Sequence, residues 1–150
     1  MTPMEAARAI RALDMQEFTP AEGARIDHEI ATTEAVVPTV LPAEWERIKP
    51  DIGGAVFLHR HGMKVIVRVE VHEGHDWLHV SFSRRNKCPS YADASDVKAL
   101  FVGRGRKAIM VLPAESEHVN LHPFCLHWYS PLGRDPLPDF RRVRGGVVGI

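Results

Sequence analysis

A chain of 150 residues, 45% hydrophobic and 25% charged, is long enough to bury one core unaided and too evenly mixed to be fibrous or disordered. Basic and acidic residues balance at 19 each, which argues against a molecule whose whole surface is an electrostatic magnet for nucleic acid or membrane. With only two cysteines, Cys88 and Cys125, and no apolar run resembling a signal peptide or able to span a bilayer, the expectation is a cytoplasmic protein with reduced thiols and no membrane partner.

The charge is uneven along the chain. Residues 1–50 hold nine acids against five bases, and the remaining hundred hold ten against fourteen. The acidic start reads as helical. Thr2-Pro3 with Glu5 supplies a cap, a proline at the first helical position and an acid near the positive helix end, and Met4, Ala7, Ile10 and Leu13 recur at helical spacing to about Met15. Thr19-Pro20-Ala21-Glu22 repeats the signal for a second helix, carrying Ile26 and Ile30, to about Thr33. Val36 to Pro42 contains two prolines and should run extended as a linker, with one further helical turn over Ala43 to Ile48. Residues 1–43 are therefore expected to be a helical arm, residues 44–141 a core domain and residues 142–150 a flexible tail. The arm either packs beside the core or pairs with a second copy or a partner.

From residue 53 the period changes from helical to alternating. Ala55–His59, Met63–Val71 and Asp76–Arg84 predict three antiparallel strands, the first pair joined at His61-Gly62. A turn with Gly74 in its first central position would set Val69 opposite Val80, Val67 opposite Phe82 and Glu70 opposite His79. Ser90 can cap a helix with a buried edge of Val97, Leu100 and Phe101, stopped by Gly103, and two more strands follow over Lys107–Leu112 and Phe124–Tyr129. The expected fold is α+β: a five-stranded antiparallel sheet, βββαββ, preceded by the helical arm. One face of that sheet should be core, the other a flat or concave polar surface.

Five motifs then occur in order: Trp77-x-His79-Val80-Ser81-x-Ser83-Arg84; Pro89-Ser90; Lys98-x-x-Phe101-x-Gly103; Ala108-Ile109-x-Val111-x-Pro113; and Glu117-x-Val119-Asn120-x-His122-Pro123-x-Cys125-Leu126-His127 with Trp128 beside it. On these, residues 45–141 resemble a small uncharacterised protein family of tailed phages and prophages, a domain of unknown function. The resemblance implies a phage or prophage origin, hence a host-cell cytoplasm, and supplies no activity.

Chemistry must then be sought in the side chains. Alternation places Glu70, His79, Ser81, Cys125 and His127 on one face, with Asn120 and His122 at its rim. His79-Val80-Ser81 resembles one half of the paired His-x-Ser/Thr signature of two-histidine phosphoesterases, and no second half is evident. His79, Ser81, His127 and Glu70 are thus the candidate catalytic set, with His79 and His127 as acid and base. Cys125 can be paired with His79 or His127 as a protease-like nucleophile, but no helix start follows it to activate the thiolate. His122, Cys125 and His127 are the candidate metal ligands, a zinc-like set without the spacing that would make zinc specific. A separate group of cations, Arg84, Arg85, Lys87, Arg104, Arg106 and Lys107, is the candidate macromolecule-binding set. No catalytic motif is complete. The first expectation is an accessory binding protein with a protein partner and no cofactor, a host-defence inhibitor being one such role, with nucleic acid as a further partner class and a homodimer through residues 1–43. The alternative is a small histidine-based phosphoester hydrolase or nuclease, with zinc as an optional cofactor.

Overall fold

The computed structural model describes residues 2–7, 19–50, 54–111 and 125–133. The remainder of the first expected helix to Met15, the loop carrying Asn120 and His122, and the basic tail lie outside them. Residues 3–7 are helical, and their capping box forms: Glu5 N–H donates to Thr2 Oγ1 at 3.1 Å and Thr2 N–H to Glu5 Oε2 at 3.0 Å. Helix α1, Pro20–Val36, starts where expected, with Thr19 Oγ1 accepting from Glu22 N–H at 3.2 Å.

The fold is α+β, but among the described residues its antiparallel sheet has six strands rather than five. They are β1 (Trp45–Ile48), β2 (Ala55–His59), β3 (Lys64–His72), β4 (His75–Ser83), β5 (Ile109–Val111) and β6 (Cys125–Pro131), in the spatial order β1-β2-β3-β4-β6-β5. The additional strand is β1, where a helical turn was expected. Between Pro42 and Pro50 these four residues have too short a pattern to declare their period, and pairing with β2 from Trp45 opposite His59 to Ile48 opposite Val56 makes them a strand.

The β3–β4 hairpin differs from expectation in register. Its turn residues are Glu73 and Gly74, both at positive φ (52° and 77°), as in a type I′ turn, whose twist matches that of the flanking strands. His72 therefore faces His75, and every pair slips by two: Val69 faces Leu78, Val67 faces Val80, Arg68 faces His79 and Glu70 faces Trp77. An even slip leaves each side chain on its original face.

On one face Phe57, Val65, Val67, Val69, Leu78, Val80 and Phe82, each 2% exposed or less, join Leu126 and Trp128. Helix α2, Tyr91–Val97, covers them. It begins in a capping box between Ser90 and Asp93, and continues as a π-helical turn over Lys98–Val102 that ends at Gly103, φ 112°. Trp128 Nε1–H donates to the Ala94 carbonyl at 3.0 Å just before the ladder widens, the kind of insertion that distorts a helix.

Helix α1 lies along a sheet edge. β2 pairs with β3 only from Val67 back to Lys64, and beyond it two side chains of α1 take over: Thr33 Oγ1 accepts from Val69 N–H and Glu29 Oε2 from Val71 N–H, both at 2.8 Å. Positions 29 and 33 are one helical turn apart, and residues 69 and 71 two strand steps apart, so the spacings match at roughly 6–7 Å. Arg47 pairs with Glu34 to tie α1 to β1 as well.

Candidate functional site

The second face of the sheet holds a continuous chain of hydrogen bonds. Glu70 reaches His79 diagonally across the twisted hairpin, Oε2 to Nδ1 at 2.8 Å, although its direct partner is Trp77. His79 Nε2 lies 2.8 Å from His127 Nδ1 on β6, and the other Glu70 oxygen, Oε1, lies 2.8 Å from His72 Nε2. The order across β3, β4 and β6 is thus His72, Glu70, His79, His127. An ionised carboxylate only accepts, so His72 Nε2 and His79 Nδ1 carry hydrogens. In the neutral state His79 Nε2 then accepts from His127 Nδ1–H. Tyr129, opposite His79 in the β4–β6 ladder, stacks on its ring with centroids 4.3 Å apart and planes 6° from parallel. Ser81 stands opposite His127.

The face is buried instead of being an open polar surface. Glu70 is 7% exposed, Ser81 9% and His127 4%, while Trp77 and Val111 beside them are sealed. Burying polar groups is costly unless they are hydrogen-bonded, and the chain supplies such bonds to Glu70, His79 and His127 Nδ1. It also sets His79 and His127 in series. Both ring nitrogens of His79 are engaged inside the protein, so the two imidazoles do not flank one substrate position as the expected acid and base would. His72, at the outer end with its side chain 24% exposed, was not singled out from sequence, although its place two residues after Glu70 on an alternating strand put it on the same face.

Cys125 is opposite Ser83, two strand steps beyond the Ser81–His127 pair on the same face. Burial pushes its thiol up to about 11, so it is protonated at neutral pH and is not an activated nucleophile. His122 lies outside the described residues, and among the described residues no three His, Cys, Asp or Glu side chains are placed to hold a metal ion.

The basic set divides. Arg84 is held by Asp93, Nε to Oδ2 and Nη2 to Oδ1 both at 2.7 Å, and those hydrogen bonds, opposed by burial and helped by Ser90 N–H, keep the Asp93 carboxyl well below the usual carboxylate range. Arg85 and Lys87 are exposed beyond the Ser83 end of β4. Lys107 lies toward the other end, its carbonyl bonded to Ser130 Oγ at 2.8 Å, where Ser130 faces Leu78; Ser83 and Leu78 are separated by about 17 Å of strand. Arg104 joins Arg84 on an open cleft of about 510 Å³ between α2 with its π turn and the ends of β1 and β2, where Trp45, Met63 and Leu100 form the apolar wall and Glu44 and Asp96 add acids. Trp45 is fixed edge-on between His59 and Phe101, at 4.8 and 5.1 Å.

Among the described residues no helix is long and apolar enough to cross a membrane. No curated protein and no solved structure matches the chain. Residues 69–133, running from the outer half of β3 to the end of β6 and so containing the whole histidine chain, are similar to a protein family described as a domain of unknown function (DUF7694).

Proposed function

We propose that the protein is a phage- or prophage-encoded accessory protein that binds a protein partner in the host cytoplasm, inhibition of a host defence being the role such a binder would serve. The supporting observation is the cleft beside α2. It is an open concave surface on which a fixed aromatic ring, Trp45, apolar Met63 and Leu100, and charges of both signs including Arg84 and Arg104 converge, the composition of a protein-recognition site. The origin rests on the motif resemblance alone. The test is a photo-crosslinking amino acid placed at Ala99 in the cleft, in cells carrying the intact phage or prophage. A single crosslinked protein, lost when Leu100→Asp or Arg104→Glu is added, is the expected result. Crosslinks unaffected by both changes, or arising only from the Arg85–Lys87 loop, would overturn the cleft as the site. Pairing of two copies through residues 1–43 belongs to the same proposal, and sedimentation of the full chain at several concentrations tests it.

A second reading is favoured by the Glu70–His79–His127 chain. An imidazole oriented by a second imidazole and a carboxylate is a general-base arrangement, here His127 with Ser81 across the strand from it, for hydrolysis of a phosphoester that reaches this buried face only when the sheet's cover opens. Turnover of bis(p-nitrophenyl) phosphate that falls by about a hundredfold or more in His127→Ala would support it. Equal rates in the two proteins would remove it.

A further inference from the structure

The loop that leaves β4 is closed on one carboxylate. Arg84, its first residue, donates to both Asp93 oxygens, and Ser90 at its far end gives its N–H to the same Oδ2 at 2.9 Å, while Ser90 Oγ accepts from Asp93 N–H at 3.1 Å. Residues 85–89 are thereby held at both ends, and Pro89 among them is buried. A loop fixed in this way loses little freedom when it meets a ligand. Its remaining charge is of one sign. Asp93 is spent on Arg84, no other acid lies between residues 84 and 95, and Arg85 and Lys87 are exposed without an ion-pair partner among the described residues. Tyr91, next to Ser90, is 90% exposed, the most exposed large hydrophobic side chain among the described residues. Its neighbours Ser90 and Ala92 are exposed as well, so the ring adds nothing to the core.

We infer that this loop binds single-stranded nucleic acid, with Tyr91 as the platform for an unpaired base and Arg85 and Lys87 as the contacts to its phosphates. An acidic protein fits less well. A protein hot spot seats its aromatic in a desolvated pocket ringed by neighbours, and Tyr91 has no such pocket, whereas an unpaired base has a flat face that a bare ring can cover by itself. A duplex keeps its bases stacked on one another and has only phosphates to offer, and on a chain of zero formal net charge two cations alone hold those weakly. Neither the α2 cleft nor the histidine chain uses Arg85, Lys87 or Tyr91, so the site stands or falls independently of both readings given above.

The experiment is fluorescence anisotropy of a fluorescein-labelled oligothymidylate of about eight nucleotides, titrated with the full chain at several salt concentrations. Saturable binding is expected, with log K falling against log salt at a slope of about −0.7 for each phosphate neutralised, hence about −1.4 for two cations. Lys87→Ala should halve that slope, Tyr91→Ala should weaken binding about tenfold at unchanged slope, and Tyr91→Phe should leave it as it was. Both side chains are exposed, so these changes leave the fold intact. The bound strand should also slow alkylation of Cys88, which is exposed inside the loop. Binding untouched by Tyr91→Ala, a duplex bound as tightly as the single strand, or Cys88 alkylated at the same rate with and without the strand would each overturn the site. Displacement of the strand by polyglutamate at equal charge would overturn it too, by giving the loop to an acidic protein.

Discussion

On the face covered by α2, the sheet is buried by matching shapes: valines 65, 67, 69 and 80 interlock with Phe57, Phe82, Phe101 and Trp128, and almost nothing there needs a partner beyond van der Waals contact. On the opposite face the same strands bury polar Glu70 and His127 as well, and these are acceptable because specific atoms meet. Loss on the first face should scale with volume removed, and loss on the second with polar groups orphaned. A fold can thus seal both sides of one sheet by two different currencies of interaction, and the second is the one that leaves groups capable of proton chemistry.

The largest expected effect is on the apolar face, where Phe57→Ala should destabilise by about 4 kcal/mol in urea unfolding, as for other buried aromatic truncations. Glu70→Leu should follow at about 3 kcal/mol, because two imidazoles lose their acceptor. The contrast is sharpened by the triple variant Glu70→Leu, His79→Phe, His127→Leu, which should recover most of that loss. It breaks if the triple variant is less stable than Glu70→Leu. Next comes Gly54→Ala, about 2 kcal/mol, since a Cβ there would stand 2.9 Å from Ile66 Cγ2 and 3.0 Å from the Val67 carbonyl oxygen on the polar side of β3.

Asp93→Asn should cost about 1–2 kcal/mol at neutral pH. Because the folded carboxyl titrates below its unfolded value, this stability is fully present above the ordinary carboxylate range and is lost as pH falls toward the folded value. Stability curves of the parent and Asp93→Asn should therefore converge in acid. Smallest is a chemical effect without energetic weight: Cys125, its thiol pushed up to about 11, should alkylate far more slowly with iodoacetamide than exposed Cys88 under mildly basic conditions, as peptide mass spectrometry would resolve.

How much of this was legible in the sequence depended on whether the governing pattern was local. Alternation at Val65–Val71 and Trp77–Ser83, the Ser90 cap and the Gly103 stop are local, and each led to the right element. β1 was not legible, because its four residues become a strand only by pairing with β2. Both choices of turn for the hairpin used Gly74, and only the strand twist decided for Glu73-Gly74; as the slip was even, the shared face of Glu70, His79, Ser81 and His127 survived it. Their burial, by contrast, was invisible, since alternation tells which residues share a face and not what that face meets. The His28–Asp76 pair joins residues 48 apart, and nothing in either neighbourhood announces it.

The side-chain acceptors that α1 lends to β3 have a consequence for solubility. A strand edge with unanswered N–H groups is a template on which another chain can add, and addition repeated is a fibre. Thr33 and Glu29 answer Val69 and Val71 with groups that belong to a helix, which has no further edge to offer. Growth on the outer half of β3 therefore terminates by geometry, and a helix of the acidic arm is what keeps that stretch of a valine-rich strand from becoming a seed.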